Sequence, residues 1–226
     1  MKVLVVVAHP DDEVLGAGAS IYKLTQQGHT VDVCIMSGQA NARRFRPEDQ
    51  QLQEDMNACL KMIGVKRVFV GDFPNIKMNI VPHLELVQYI EQIIMETEAD
   101  TIITHHPADL NNDHVQTSIA CQAAVRLFQR KAEVAPLKEL LFMEIPSSTE
   151  WALNSSIADF RPNTFVEVGK EAVEIKIRAL DCYRGVMRAY PHPRSPETIE
   201  GLAAYRGAQS GCNYAEAFES VIRRIV

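Results

Sequence analysis

Residues 3–7, Val-Leu-Val-Val-Val, form an unbroken apolar run that leads directly into Ala8-His9-Pro10-Asp11-Asp12-Glu13. A strand in which every residue is apolar, rather than every second one, is covered on both faces, as in the middle of a parallel sheet. The pattern predicts a strand over 2–8 that carries a histidine and two adjacent carboxylates to its own C-terminal end. A second apolar strand, Thr101-Ile102-Ile103, runs into Thr104-His105-His106-Pro107-Ala108-Asp109-Leu110-Asn111-Asn112-Asp113-His114. Two polar clusters, each at a strand end, are able to supply one metal ion between them.

The rest of the chain alternates in the same rhythm. Helices are expected over 13–27 (with Gly28 as its stop), 48–62, 82–97, 113–129 and 171–187, and strands over 31–36, 67–70, 101–104, 140–143 and 163–168. Pro191 to Pro196 reads as a stiff loop, and a helix over about 214–225 is expected to close the chain. Regular β-α alternation gives the α/β class: a three-layer, Rossmann-like open sheet, mostly parallel, with helices on both faces. Such sheets bind ligands beyond the carboxyl ends of their strands, where both polar clusters fall.

Composition narrows the function classes. With 226 residues, 46% hydrophobic and 23% charged, the chain suits one folded domain over 1–226. A formal net charge of −6 argues against a nucleic-acid partner, which wants a basic field. No apolar run approaches the ~20 residues that cross a bilayer. Met1 leads straight into a core-like strand without a leader pattern, so a cytoplasmic location is expected. The five cysteines are dispersed, with no Cys-x-x-Cys pair, and read as reduced thiols. Apolar surface on the closing helix leaves a homo-oligomer open.

His9 and Asp12 lie three apart across a strand-to-helix turn, so both are able to face one point above the sheet. His114 opens a later helix whose strand can neighbour the first. Two imidazoles and a carboxylate fill three corners of a zinc tetrahedron and leave the fourth to water, as catalytic zinc sites do. The same ligands accept other divalent ions, Fe2+ among them. Asp11 stands beside the metal without being needed as a ligand, and is placed to take a proton from water and later return it to a leaving amine. Glu13 bonds backbone at the helix start or orients a ligand, Asp113 similarly holds an imidazole, and only one of His105 and His106 is expected to face the site. Arg43 and Arg44 follow the second strand, and Arg188 and Arg194 flank the proline loop. Planar guanidinium groups there suit a phosphate or carboxylate on a substrate.

The segment Ala8–Glu13, with Asp113-His114 downstream, resembles the signature of the PIG-L/LmbE family of zinc-dependent N-acetyl-sugar deacetylases. The tail segments Tyr190–Ser195, Arg206-Gly207 and Ala215–Phe218 resemble its bacterial branch. The resemblance implies zinc on His9, Asp12 and His114, Asp11 as general base, and a small N-acetylated sugar as substrate. In several members a histidine three residues before the last ligand stabilises the oxyanion; here that position is Asn111, an amide that donates a hydrogen bond but carries no charge. His192, held between two prolines, is expected to supply the missing imidazole. The alternatives are an amidase acting on another amide, such as a thiol conjugate, and a metal-dependent sugar-binding protein without turnover.

Overall fold

The computed structural model describes residues 1–39, 47–153 and 158–225. In chain order they form β1 (Lys2–Val7), α1 (Asp12–Gln26), β2 (Thr30–Ile35), α2 (Asp49–Met62), β3 (Arg67–Val70), α3 (His83–Thr97), β4 (Thr101–His105), α4 (Asn112–Ala124), β5 (Glu139–Met143), β6 (Thr164–Glu167), α5 (Gly169–Cys182), α6 (Pro196–Ser210) and β7 (Ala215–Arg223). One sheet takes seven strands in the order β3-β2-β1-β4-β5-β7-β6. Strands β3, β2, β1, β4 and β5 pair in parallel. Strand β7 runs antiparallel to both neighbours, so it alone opposes the rest.

The continuous apolar pattern of β1 has the expected consequence. Val3, Val5 and Val7 pack into a cluster with residues of α1, α2 and α5. Leu4, Val6 and Ala8 pack on the other face with residues of α3 and α4. The sheet is therefore buried on both sides and the architecture has three layers. Gly16 lets α1 lie close on the sheet, since a Cβ there would sit 2.5 Å from Met143 Sδ and 2.7 Å from Ile145 Cδ1. Among the described residues no helix is long and apolar enough to cross a membrane.

Strand order fixes where a ligand binds. From β1 the chain winds outward through β2 to β3, then returns to place β4 against the opposite side of β1, with Val3 opposite Thr101 and Val6 opposite Thr104. The carboxyl ends of β1 and β4 thus flank the point where the winding reverses, which is where open α/β sheets hold ligands.

The C-terminal third departs from expectation. The helix expected over 214–225 is β7, which fills the slot between β5 and β6. Ala215-Glu216-Ala217-Phe218 has helix-forming residue types, but propensity is a weak prior that tertiary context overrides. All four residues are buried, as an interior strand requires. Helix α6, not assigned from the sequence, begins where the stiff loop ends. Ser195 caps it, its Oγ accepting from Thr198 N at 3.2 Å, Pro196 takes the first turn, and Gly211 at φ 85° stops it. Helix α4 stops at Ala124, followed by a short 3-10 turn at Leu127–Gln129, and α5 stops at Cys182. The closing segment, whose apolar surface left a homo-oligomer open, is therefore a strand.

Strand β7 is tied to the first helix through buried charge. Glu216 accepts from Ala19 N (3.2 Å) and Ser20 N (2.7 Å) of α1, and from Lys176 Nζ of α5 at 2.6 Å. Lys176 Nζ also donates to the Leu15 carbonyl at 2.7 Å. Removing one member strands the other in the interior, so Glu216→Ala is expected to cost about 3–5 kcal/mol. Urea unfolding measures this, and a loss under about 1 kcal/mol, the worth of an exposed pair, would contradict the assignment.

Candidate metal centre

The turn after β1 is built by its own polar side chains. Asp12 Oδ2 accepts from His9 N at 3.0 Å, and the Asp11 carbonyl accepts from Val14 N and Leu15 N to open α1. Asp11 adopts φ 96° and ψ −27°, a left-handed conformation rare for a residue with a side chain. Its N–H donates to Glu13 Oε2 at 3.1 Å, and Glu13 Oε1 accepts from the Tyr183 hydroxyl at 2.6 Å. Glu13 thus bonds backbone at the helix start. Burial, against the pull of Tyr183, lifts its carboxyl to about 8. After β4 a loop leads to α4, whose cap is Asn111: its Oδ1 accepts from Asp113 N at 2.9 Å.

His9, Asp12 and His114 offer ligand atoms that all lie within 4.8 Å of one another, and all three are buried. Asp12 Oδ2 stands 3.4 Å from His9 Nδ1 and 3.2 Å from His114 Nε2. The outward nitrogens of both rings meet carboxylates, His9 Nε2 with Asp113 Oδ2 at 3.0 Å and His114 Nδ1 with Asp109 Oδ1 at 3.2 Å. A carboxylate on the far nitrogen keeps the proton there and leaves the inner lone pair for a metal. The donor set and its backing therefore fit a divalent ion of the zinc type.

These carboxylates also join the centre to the rest of the fold. Asp113 accepts from Ile76 N (2.6 Å) and Met78 N (2.9 Å) on the connection between β3 and α3. Asp109 accepts from Ser148 Oγ (2.5 Å) and Thr149 Oγ1 (2.8 Å) beyond β5. Asp113 holds an imidazole, as expected, though that of His9 rather than its neighbour His114. The role of Asp109 was not assigned from the sequence; its signal was a carboxylate in the same loop as the ligand.

Neither member of the His105-His106 pair lines the cavity. His105 Nε2 accepts from Ala8 N at 2.9 Å, and its ring stacks on His114 with centroids 3.9 Å apart. Burial and the neighbouring His114 hold it down at about 3. His106 turns the other way, toward Glu219 and the edges of Phe142 and Phe160. Electrostatics differ sharply at the donors. Burial opposes charge at His114, but Asp12 and Asp109 outweigh it and raise the imidazole to about 10. His9 is raised for the same reason by Asp113 and Asp12. Asp12 is held well below the usual carboxylate range, burial being overcome by His114 and His9.

A cavity of about 540 Å³ opens over these groups, within the size range of small-molecule sites. His9, Asp11, Asp12 and His114 form its floor, with Gln39, Asn75, Ile76, Leu110, Asn111, Asn112, Ser147, Ser148 and Arg194 around it. Arg194 is fixed by Nε donating to Ser147 Oγ at 2.6 Å, and its Nη1 lies 3.6 Å from Asp11 Oδ2. His192 is exposed and does not line the cavity; its Nδ1 accepts from Arg194 N at 3.0 Å. Arg188 is half-buried and donates its backbone N–H to the Arg194 carbonyl. Arg43 and Arg44 lie outside the described residues. Sequence reasoning missed Gln39, Asn75, Ile76, Ser147 and Ser148, which no local motif distinguishes from ordinary loop residues.

The chain is similar to several known proteins. The Escherichia coli K12 protein YaiS, an uncharacterized deacetylase, is 27% identical over 183 residues, covering 79% of this chain and 88% of that protein. The diacetylchitobiose deacetylase of Thermococcus kodakarensis is 23% identical over 97% of this chain and 83% of its own length. The crystal structure of GalB, a 4-carboxy-2-hydroxymuconate hydratase from Pseudomonas putida KT2440, shares the fold with a TM-score of 0.80 at 21% identity, over 100% of this chain and 98% of that one. The family model described as "PIG-L: GlcNAc-PI de-N-acetylase" matches residues 4–125. That stretch is more than half of the chain and contains every donor of the metal centre, so the chain belongs to the PIG-L family.

Proposed function

We propose that the protein is a metal-dependent hydrolase that removes the acetyl group from an N-acetylated amino sugar. The observation that carries this reading is Asp11, a carboxylate on the cavity floor beside a complete His-Asp-His donor set that does not need it. Deacetylase relatives support the reading. His9, Asp12 and His114 would hold zinc, or Fe2+ with the same donors. A divalent ion there supplies Lewis acidity and an acidified water.

The remaining work falls to side chains. Asp11 takes the proton of the attacking water and returns one to the departing amine. Arg194 Nη1, 3.6 Å from Asp11 Oδ2, puts a positive charge beside the base. The Asn111 Oδ1 is spent on its helix cap, which leaves the Nδ2 donors at the cavity wall for the oxyanion. His192 enters through Arg194, whose backbone N–H it accepts. Arg194 and Arg188, together with Arg43 and Arg44, are assigned to a negatively charged part of the substrate.

The reading is tested by acetate release from a panel of free and nucleotide-linked N-acetyl sugars, with chelated and zinc-restored protein. Release is expected only with metal, and Asp11→Asn should lower it about 10²–10⁴-fold while one zinc still binds. A variant within tenfold of the native rate, or release of some other amine without acetate, would overturn the assignment.

The carboxylates behind the imidazoles give a separate expectation. Asp109→Ala and Asp113→Ala should each weaken zinc binding about 10–100-fold, measured by competition with a chromogenic chelator. Unchanged affinity in both would remove them from the centre.

Zinc affinity should also rise with pH. His114, raised to about 10 without metal, is protonated at neutral pH, and the ion accepts only the neutral ring. Binding near pH 7 therefore displaces at least one proton per ion, a quantity that falls as pH approaches about 10. Calorimetry in two buffers of different ionisation enthalpy reads it directly, and zero proton release would contradict the His114 assignment.

A further inference from the structure

Asp11 combines two demands that conflict. The proposed chemistry needs a carboxylate at this position, whereas a φ of 96° favours glycine. A strained backbone of this kind persists only where its surroundings over-determine it. The Asp11 N–H donates to Glu13 Oε2 at 3.1 Å. Glu13 is completely buried, and its second oxygen accepts from the Tyr183 hydroxyl at 2.6 Å. Tyr183 follows α5, 170 residues downstream of Glu13, with its ring in the core beside Val14, Leu15 and Cys59. Neither Glu13 nor Tyr183 lines the cavity.

We infer that Glu13 and Tyr183 are positioning residues: the hydroxyl fixes the Glu13 carboxyl group, that group fixes the Asp11 N–H, and the left-handed turn so held aims the Asp11 side chain into the cavity. The inference rests on the proposed role of Asp11 as base. A carboxyl group or its amide isostere is needed at position 13, because the group must accept from a backbone N–H while its other polar atom meets a phenol. An apolar residue of similar size fills the space but removes the acceptor that both donors share. Tyr183 cannot be reached by substrate, so any effect of its hydroxyl on turnover passes through Glu13.

The test uses zinc-loaded wild type, Glu13→Leu, Glu13→Gln and Tyr183→Phe. Misaiming a catalytic group by about 1 Å costs about 100-fold, so Glu13→Leu should lower kcat by about that factor with KM and zinc stoichiometry unchanged. Tyr183→Phe, which loses one hydrogen bond, should lower kcat about tenfold. Glu13→Gln should restore kcat to within a fewfold of wild type, a rescue that mere filling of the core would not distinguish from leucine. Amide hydrogen exchange supplies a readout independent of turnover: the Asp11 amide should exchange about tenfold faster or more in Glu13→Leu and remain protected in Glu13→Gln. Wild-type kcat in Glu13→Leu, or an Asp11 amide equally protected in all four proteins, overturns the inference. Loss of Asp11 protection in Glu13→Leu with no acetate release by wild type would instead retain the positioning and refute the deacetylase reading. Should the leucine variant fail to fold, the comparison of Tyr183→Phe with Glu13→Gln decides by the same two readouts.

Discussion

Parallel pairing of β1 with β4 is the constraint on which the site depends. Val6 opposite Thr104 brings the strand ends level, so His9 and Asp12 meet His114 across more than a hundred residues of chain. A shift of one residue would turn the β1 side chains to opposite faces. The register is defended by both core clusters, because Val3, Val5 and Val7 fill one face and Leu4, Val6 and Ala8 the other. It is also defended by the bond from Ala8 N to His105 Nε2, which stitches the two strands just below the ligands. The hydrophobic core and the metal centre therefore specify the same alignment.

That alignment concentrates charge in the interior. Asp12, Asp109, Asp113, His9 and His114 are all buried, an arrangement that costs stability unless each group is paired. The pairing is complete: each imidazole lies between Asp12 and a second carboxylate. Without metal the neighbouring carboxylates favour the charged form of both imidazoles, and Asp12 and Asp109 raise His114 to about 10. A divalent ion held there would bring its own positive charge in place of such protons, so the pairing that balances the metal-free charges also suits a metal.

Legibility in the sequence follows this physics. The first four strands and their helices were readable because β1 is continuously apolar, β2 to β4 each carry a short apolar run, and Gly28 and Gly64 stop α1 and α2. The three donors and Asp11 were readable because they sit in short local clusters at two strand ends. The pairing of Asp113 with His9 was not, since it joins positions 104 residues apart and only the β1–β4 register decides it. In the C-terminal third, local preference and final structure disagree at β7. Ala215 to Phe218 has helix-forming residue types, yet becomes a strand because β5 and β6 leave a slot between them, where Glu216 reaches α1 and Lys176. Helix α6 carried a legible cap in Ser195-Pro196, hidden only because that pair also ends a proline-rich loop.

The same third of the chain explains why an arginine, rather than the loop histidine, reaches the cavity. Ser195 caps α6, which fixes the residue before it at the cavity wall, and the His192 ring accepts that residue's N–H instead of extending inward. Arg194 then meets Ser147, itself at φ 72°. Among the described residues, four that are not glycine have positive φ, and three of them, Asp11, Ile76 and Ser147, line this cavity. Each is held by a carboxyl oxygen at its own N–H: Glu13 for Asp11, Asp113 for Ile76 and Glu150 for Ser147. Strain that recurs with one kind of clamp around one cavity marks preorganisation. The carboxylate that aligns His9 also secures Ile76, so the wall and the metal donors cannot move independently.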